Sequence, residues 1–522
     1  MAESTAPAVS QGRVPNRWLI LVSAIVSMVA VANFQYGWTL FVQPLQRHLN
    51  QTVALISVTF TVFVLLETWL VPFEGWLVDK FGPRLLVMLG GILAGLGWVG
   101  SGRAESLTAL YLSYAVSGIG AGIVYGTAVG IALKWFPEHR GLAAGLTAAG
   151  FGAGSAFTVI PLTRMIASSG YQRTFIVWGI VQGLVVVVAA VFLKAPPGEW
   201  MPRTWRSIGS EPVRTRQTAV SFTSGEMAAT PHFWLMYVMM AMVATGGLMA
   251  TAQLAPMAAS FGVDRVNFNV WIFGVMPTVT FALWLDRIVN GLCRPFWGWV
   301  SDHIGREYTM TLAFGLEAVA IFTLITFAHN PVMFILLSAF TFFGWAEIFS
   351  LFPALCGDFF GRKHATANYG FLYTAKGTSS MFVPVGAALA ATTVRGRTFD
   401  FRGDILLVLG AAIVVFTVFV APTVFRIKLV GAIKTVLLTI ASALIAYGII
   451  VVLLPDRVKT PFSASFVMPQ IGWKGVFSVA IVFDLIAALL AFFVLRKMKA
   501  PVKSGEQATS GVAAGVQVPG AA

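Results

Sequence analysis

Two cations stand inside long apolar runs of this sequence, Arg294 in NGLCRPFWGW and Lys376 in YGFLYTAKGTSS. A charge at the centre of a membrane helix costs about 3 kcal/mol on insertion scales, so one that is retained faces a cavity, a partner or a ligand. Neither has an acidic residue three or four positions away on its own helix. Two cations without local partners predict an anion between them, and a guanidinium grips a carboxylate through paired N–H donors. The competing structural reading lets Arg294 snorkel toward the cytoplasm and pairs Lys376 with Glu347 or Asp484.

Aromatic residues fall where they could wall such a site: Tyr36 and Trp38, Tyr125, Phe151, Trp345 and Phe349, and Tyr373. Tyr373 and Lys376 share a helix face at three residues apart, as do Trp345 and Phe349 at four. Any single aromatic residue in a membrane helix more often faces lipid or packs in the core. Tyr125 and Phe349 carry more weight, because they stand at equivalent places in an internal repeat.

The elements that hold these residues are membrane helices. The chain has 522 residues, of which 57 % are hydrophobic and 11 % charged, against about 25 % charged in a soluble domain. Apolar runs of about 20 residues, enough to cross a bilayer, recur along it. Hydropathy places helices at 17–44, 53–78, 85–101, 106–134, 141–164, 172–194, 232–261, 269–300, 308–328, 331–356, 365–392, 403–425, 430–454 and 473–496, about fourteen in all. The fold class is an all-α polytopic membrane protein.

The formal net charge of +14 could suggest nucleic acid, but the location of the basic residues argues against it. They lie mainly in short segments between apolar runs, about two-thirds of them on the side that holds both termini, as the positive-inside rule requires of cytoplasmic segments. Both termini are therefore expected in the cytoplasm. Cys293 and Cys356 are the only cysteines and both lie in apolar segments, which suggests neither a disulfide framework nor a metal cluster. No HExxH, Walker-type loop or nucleophile motif stands out, so no enzyme and no cofactor is expected. The Gly-rich stretch SGIGAGIVYG reads as close helix packing.

Two motifs recur. GWLVDKFGPR begins at Gly75 and GWVSDHIGRE at Gly298, and WFPEHRGLAAG begins at Trp135 and FFGRKHATANYG at Phe359, at spacings of 223 and 224. Such agreement indicates two six-helix halves in parallel orientation, as in major facilitator transporters. In the repeated loop, Gly75 and Gly298 would let helix ends approach closely, Asp79 and Asp302 would accept hydrogen bonds at a helix N-terminus, and Arg84 and Arg306 would bridge to acidic partners. Such a loop can latch one conformation. The expected organisation is a disordered N-terminus 1–16, a first half 17–194, a cytoplasmic loop 195–231, five helices over 232–396, an inserted hairpin 397–472, a last helix 473–498 and a disordered tail 499–522.

NGLCRP, SDHIGRE, FFGWAEIFSLFP and KHATANYGFLYTAKG, with FQYGWTLF and GIVYG in the first half, resemble the oxalate/formate antiporter family of the major facilitator superfamily. The resemblance covers about residues 14–392 and resumes at Trp473. It implies a monomeric carrier in a bacterial inner membrane that exchanges small carboxylates such as oxalate and formate. It places Arg294 and Lys376 at the family's paired cationic positions, with Gln35, Tyr36, Tyr125, Trp345 and Tyr373 near the anion. Phe151 and Phe349 stand where tyrosines are expected in the best-matched oxalate carriers, and Asp286 and Arg287 interrupt an otherwise apolar stretch. The carboxylate is therefore not fixed as oxalate. The added hairpin is expected to pack peripherally.

Alternating access would proceed by rocking of the two halves around a midplane site. If Arg294 and Lys376 carry +2 in the empty carrier, slow return of that charge makes exchange obligatory, and swapping a dianion for a monoanion moves net charge. The rival reading is proton-coupled monocarboxylate symport, with Glu67, Glu74, Glu317, Glu347 or Asp484 carrying the proton. A membrane sensor is disfavoured because the loop between the halves is short and featureless.

Overall fold

The computed structural model describes residues 16–136, 140–197, 220–270, 273–361, 364–390, 471–498 and 501. Helices expected over 403–425 and 430–454, the hairpin 397–472 that contains them except for its last two residues, much of 195–231 and nearly all of both termini lie outside the described residues. Among the described residues nine helical stretches are long and apolar enough to cross a membrane.

Several expected helices are broken, each within a few residues of a glycine or proline. The run 17–44 divides into α1 (Arg17–Tyr36) and α2 (Thr39–Leu49) at Gly37 and Trp38, because glycine weakens a helix interior. The run 53–78 divides into α3 (Val53–Trp69) and α4 (Val71–Phe81). Pro72 lies in the first turn of α4, where its missing N–H costs nothing. After α5 (Pro83–Ser101), α6 (Leu107–Trp135), α7 (Arg140–Gly154) and α8 (Val159–Ala190), the last being two helices that meet at a kink at Gly170, φ 81°, the second half opens with the short α9 (Ser224–Ala228) and α10 (Pro231–Ser260).

The helix expected from residue 269 starts later. Asn267–Val270 (β1) pairs antiparallel with Gly274–Pro277 (β2), and Gly274, the first residue of β2, takes a φ of 72°, which glycine adopts without strain. Pro277, extended and without an N–H, then precedes α11 (Thr278–Ile304). The bundle continues with α12 (Arg306–Phe327), α13 (Pro331–Trp345), α14 (Ile348–Phe360), α15 (Ala365–Ser380), α16 (Phe382–Ala390) and α17 (Gly472–Leu489). The α13/α14 and α15/α16 divisions break the runs expected over 331–356 and 365–392.

Glycines bring helices into contact in the first half. In SGIGAGIVYG of α6, a Cβ on Gly118 would lie 2.5 Å from the Phe63 carbonyl oxygen and one on Gly122 2.7 Å from that of Glu67. Only a residue without a side chain allows that approach to α3. The two halves meet along α3 with α15 and α16, and along α7 with α11. At the end away from the α4–α5 and α11–α12 loops, side chains tie them together. Gln253 donates to Ser57 at 2.6 Å, the Ala255 N–H to Thr39 at 2.9 Å, and Thr61 to the Ser380 carbonyl at 2.7 Å.

Candidate functional site

The helix breaks surround one buried centre. Tyr36 ends α1, Glu67 lies just before the α3–α4 break, Trp345 and Phe349 flank the α13–α14 break, and Lys376 lies within α15. Interrupted helices are where membrane carriers commonly place a binding site, since the freed backbone and angled side chains line a cavity.

Lys376 is not unpaired. Its Nζ lies 3.0 and 3.1 Å from the two carboxylate oxygens of Glu67, and both side chains are wholly buried. It also donates to Gln35 Oε1 at 2.9 Å and to the Tyr373 hydroxyl at 3.0 Å. This corrects the expectation of two partnerless cations, and the partner is neither Glu347 nor Asp484. Those two acids and Glu317 are instead electrostatic neighbours of one another, on α12, α17 and the α13–α14 junction.

Arg294 is buried too, rather than snorkelling to a surface. It donates to the Ala148 carbonyl at 2.7 Å, to Asn290 Oδ1 at 3.1 Å and to the Tyr36 hydroxyl at 3.3 Å. Its guanidinium carbon sits 4.3 Å from the centre of the Phe349 ring, a cation–π distance. Among the described residues it has no carboxylate partner, and its Nε has no hydrogen-bond partner. Asn290 occupies the repeat position of Glu67, 223 residues on, so the repeat offers one cation a carboxylate and the other a neutral amide.

The sequence-selected aromatics converge here. Tyr125 stacks on Tyr373 at 5.1 Å and 5°, Phe151 meets Tyr36 at 5.3 Å and Tyr125 at 5.1 Å, and Phe349 meets Tyr373 at 6.2 Å. Phe151, Phe349 and Tyr373 lie 5.6, 5.7 and 5.1 Å from Lys376 Nζ. Trp345 touches the group through Phe349 at 5.4 Å, and its indole packs on Gly247 of α10. Trp38 points elsewhere, against Tyr114 and Phe60. Arg287 lies between the rings of Tyr36 and Phe342, at 4.5 and 4.2 Å, while Asp286 accepts from Ser338 at 2.9 Å.

In the second copy of the repeated loop, Arg306 bridges Asp302 at 2.7 Å and Asp358 at 3.2 Å and also donates to Ser301. That ties α11, α12 and α14 together. Gly298 makes no close approach, since a Cβ there would meet nothing within 4 Å. The glycines that the loop geometry demands are Gly82 and Gly305, with φ of 81° and 95°, a region L side chains avoid. They stand at matching places within the two motif strings, so the signal was present in the repeat. Arg84 is exposed, and the side chains at 75 and 79 lie outside the described set.

The model of the family described as Major Facilitator Superfamily matches residues 23–384. The chain belongs to that superfamily. It is therefore a membrane transporter and not an enzyme. An oxalate:formate antiporter of Oxalobacter formigenes is 36 % identical over 387 residues, spanning 73 % of this chain and 87 % of that one. The human monocarboxylate transporter 14 is 29 % identical over 154 residues, 29 % of each chain. A bacterial homologue of the human lysosomal transporter Spinster, solved inward-facing and occupied, superposes with a TM-score of 0.58 over 94 % of this chain and all of its own. At 15 % identity that likeness shows the major facilitator fold alone.

Proposed function

We propose that the protein exchanges small carboxylates across a bacterial inner membrane, with both termini cytoplasmic, by alternating access around Arg294 and Lys376. The observation that carries this reading is Arg294, a buried guanidinium with no carboxylate partner among the described residues, facing a second cation through a cage of aromatic rings. A carboxylate at that point satisfies the guanidinium by charge-assisted hydrogen bonds. Gln35, Tyr36, Tyr125 and Tyr373 supply amide and hydroxyl groups around it. Phe151, Trp345 and Phe349 exclude water, which strengthens every polar contact inside. The 36 % identity to an oxalate:formate antiporter over most of both chains supports the same substrate class.

The halves on either side of the inter-half loop would rock about this centre, with the Asp79–Arg84 and Asp302–Arg306 loops holding one end closed. Slow return of an empty, charged site makes the carrier an exchanger. Uptake of labelled oxalate into proteoliposomes loaded with formate, oxalate or nothing tests this. Uptake that needs internal carboxylate supports exchange. Uptake into empty vesicles driven by an imposed proton gradient supports proton-coupled monocarboxylate symport instead.

A further inference from the structure

We propose that Glu67 is a proton-binding group of the transport cycle, so that a dicarboxylate crosses with one proton and exchanges electroneutrally for a monocarboxylate. This rests on the carboxylate-exchange reading above. An ammonium has three donors, and those of Lys376 are taken by the Glu67 carboxylate, Gln35 and Tyr373 at 2.9–3.1 Å. A substrate carboxylate reaches Lys376 only by taking the place of one of these. Glu67 is the one that carries charge.

Charge balance decides what happens to it. Counting Arg294, Lys376 and Glu67 alone, the empty site holds +1: Arg294 is uncompensated, and Lys376 and Glu67 cancel. Asp286 and Arg287 are adjacent in sequence and of opposite sign, so together they add no net charge while both are ionised; Asp286 accepts from Ser338, and the Arg287 guanidinium has no hydrogen-bond partner among the described residues. A monocarboxylate on Arg294 brings the site to zero and leaves the Lys376–Glu67 pair intact. A dicarboxylate would bring it to −1, with two carboxylates competing for one lysine. If Glu67 takes up a proton, it becomes a neutral hydrogen-bonding group, the dianion bridges Arg294 and Lys376, and the site is again at zero. Dianion plus proton then carries the same net charge as the monoanion moving the other way.

The surroundings suit a group that changes charge. Lys376 and Tyr373 of α15, Gln35 of α1 through that lysine, Tyr125 of α6, Arg294 of α11 and Glu74 of α4 are the polar and titratable groups around Glu67. α16 carries none, and His48 at the far end of α2 is held by Glu105 at 3.1 Å. Glu74 offers the proton a stop on its way. It is 3 % exposed, and neither of its oxygens has a hydrogen-bond partner among the described residues. It lies seven residues after Glu67, across the α3–α4 helix break, on the side of the α4–α5 loop. Gly122 and Gly126 of α6 leave it room, since Cβ atoms there would lie 2.8 and 3.2 Å from its oxygens.

The test is oxalate–formate exchange in proteoliposomes at a clamped membrane potential, with a pH-sensitive dye inside. About 2.3 kcal/mol per charge at 100 mV is a factor of about 50 in an equilibrium ratio. Wild type is expected to carry about one proton per oxalate and to show an oxalate distribution unchanged by 100 mV. In Glu67→Gln the protons per oxalate fall to zero and the distribution shifts by about 50-fold, while Glu67→Asp keeps the proton. Wild-type exchange that shifts about 50-fold with potential and moves no proton overturns the proposal and leaves the exchange reading standing. Absence of any carboxylate exchange in folded protein overturns both. The wild-type result decides even if the glutamine variant does not fold.

Discussion

Lys376 and Glu67 are 309 residues apart in sequence and meet at 3.0 Å in the buried centre of the bundle, one from each half. The pair joins α3 to α15 and changes the charge carried by the candidate site.

Removing one member of a buried pair strands the other charge, at a cost of about 3–5 kcal/mol, whereas removing both costs much less. Lys376→Gln is therefore expected to lower the thermal unfolding temperature markedly. The double variant Lys376→Gln/Glu67→Gln is expected to recover most of that loss. A double variant no more stable than Lys376→Gln alone would show that Glu67 is not the group the lysine neutralises.

Arg294→Gln removes a buried central cation that has no carboxylate partner among the described residues. A charge-assisted hydrogen bond contributes about 1.5–3 kcal/mol, so oxalate affinity is expected to fall about 10- to 100-fold or more. Substrate-induced thermal stabilisation measured across oxalate concentrations reads this directly. Arg294→Lys, which keeps the charge but not the planar fork, should recover only part of the loss.

Phe349→Tyr would add a hydroxyl at the edge of a ring whose face lies 4.3 Å from the Arg294 guanidinium carbon. One added hydrogen bond of about 0.5–1.5 kcal/mol should raise oxalate affinity about 2- to 10-fold. Formate, with a single carboxylate, should gain less. Competition between the two anions for labelled uptake measures the ratio, and an unchanged ratio would place the substrate away from this ring.

Arg306→Gln would cut the bridges to Asp302 and Asp358, which lie far from the central cations. Exchange rate should change while oxalate affinity stays within about twofold, because the loop acts on conformational change rather than on binding. Parallel measurement of substrate-induced stabilisation and flux separates the two.

Much of this centre was legible from residue type and spacing. Arg294 and Lys376 stood out as charges in apolar runs, and the aromatics around them followed from helical and repeat spacing. The partner of Lys376 was not legible, because a search at three and four residues sees only one helix face and Glu67 arrives from the other half. Hydropathy also could not register the breaks at Gly37 and near Pro72, since a short unwound segment remains apolar. The β-hairpin before α11 was hidden for the same reason, its valines and phenylalanines suiting either a strand or a buried helix.

Carboxylate exchange with the substrate held at Arg294 is measured by labelled oxalate uptake into formate-loaded and empty proteoliposomes, run side by side for wild type and Arg294→Gln. Uptake is expected in loaded wild-type vesicles only, with almost none by Arg294→Gln in either. Equal uptake by folded wild type and Arg294→Gln in loaded vesicles would contradict it.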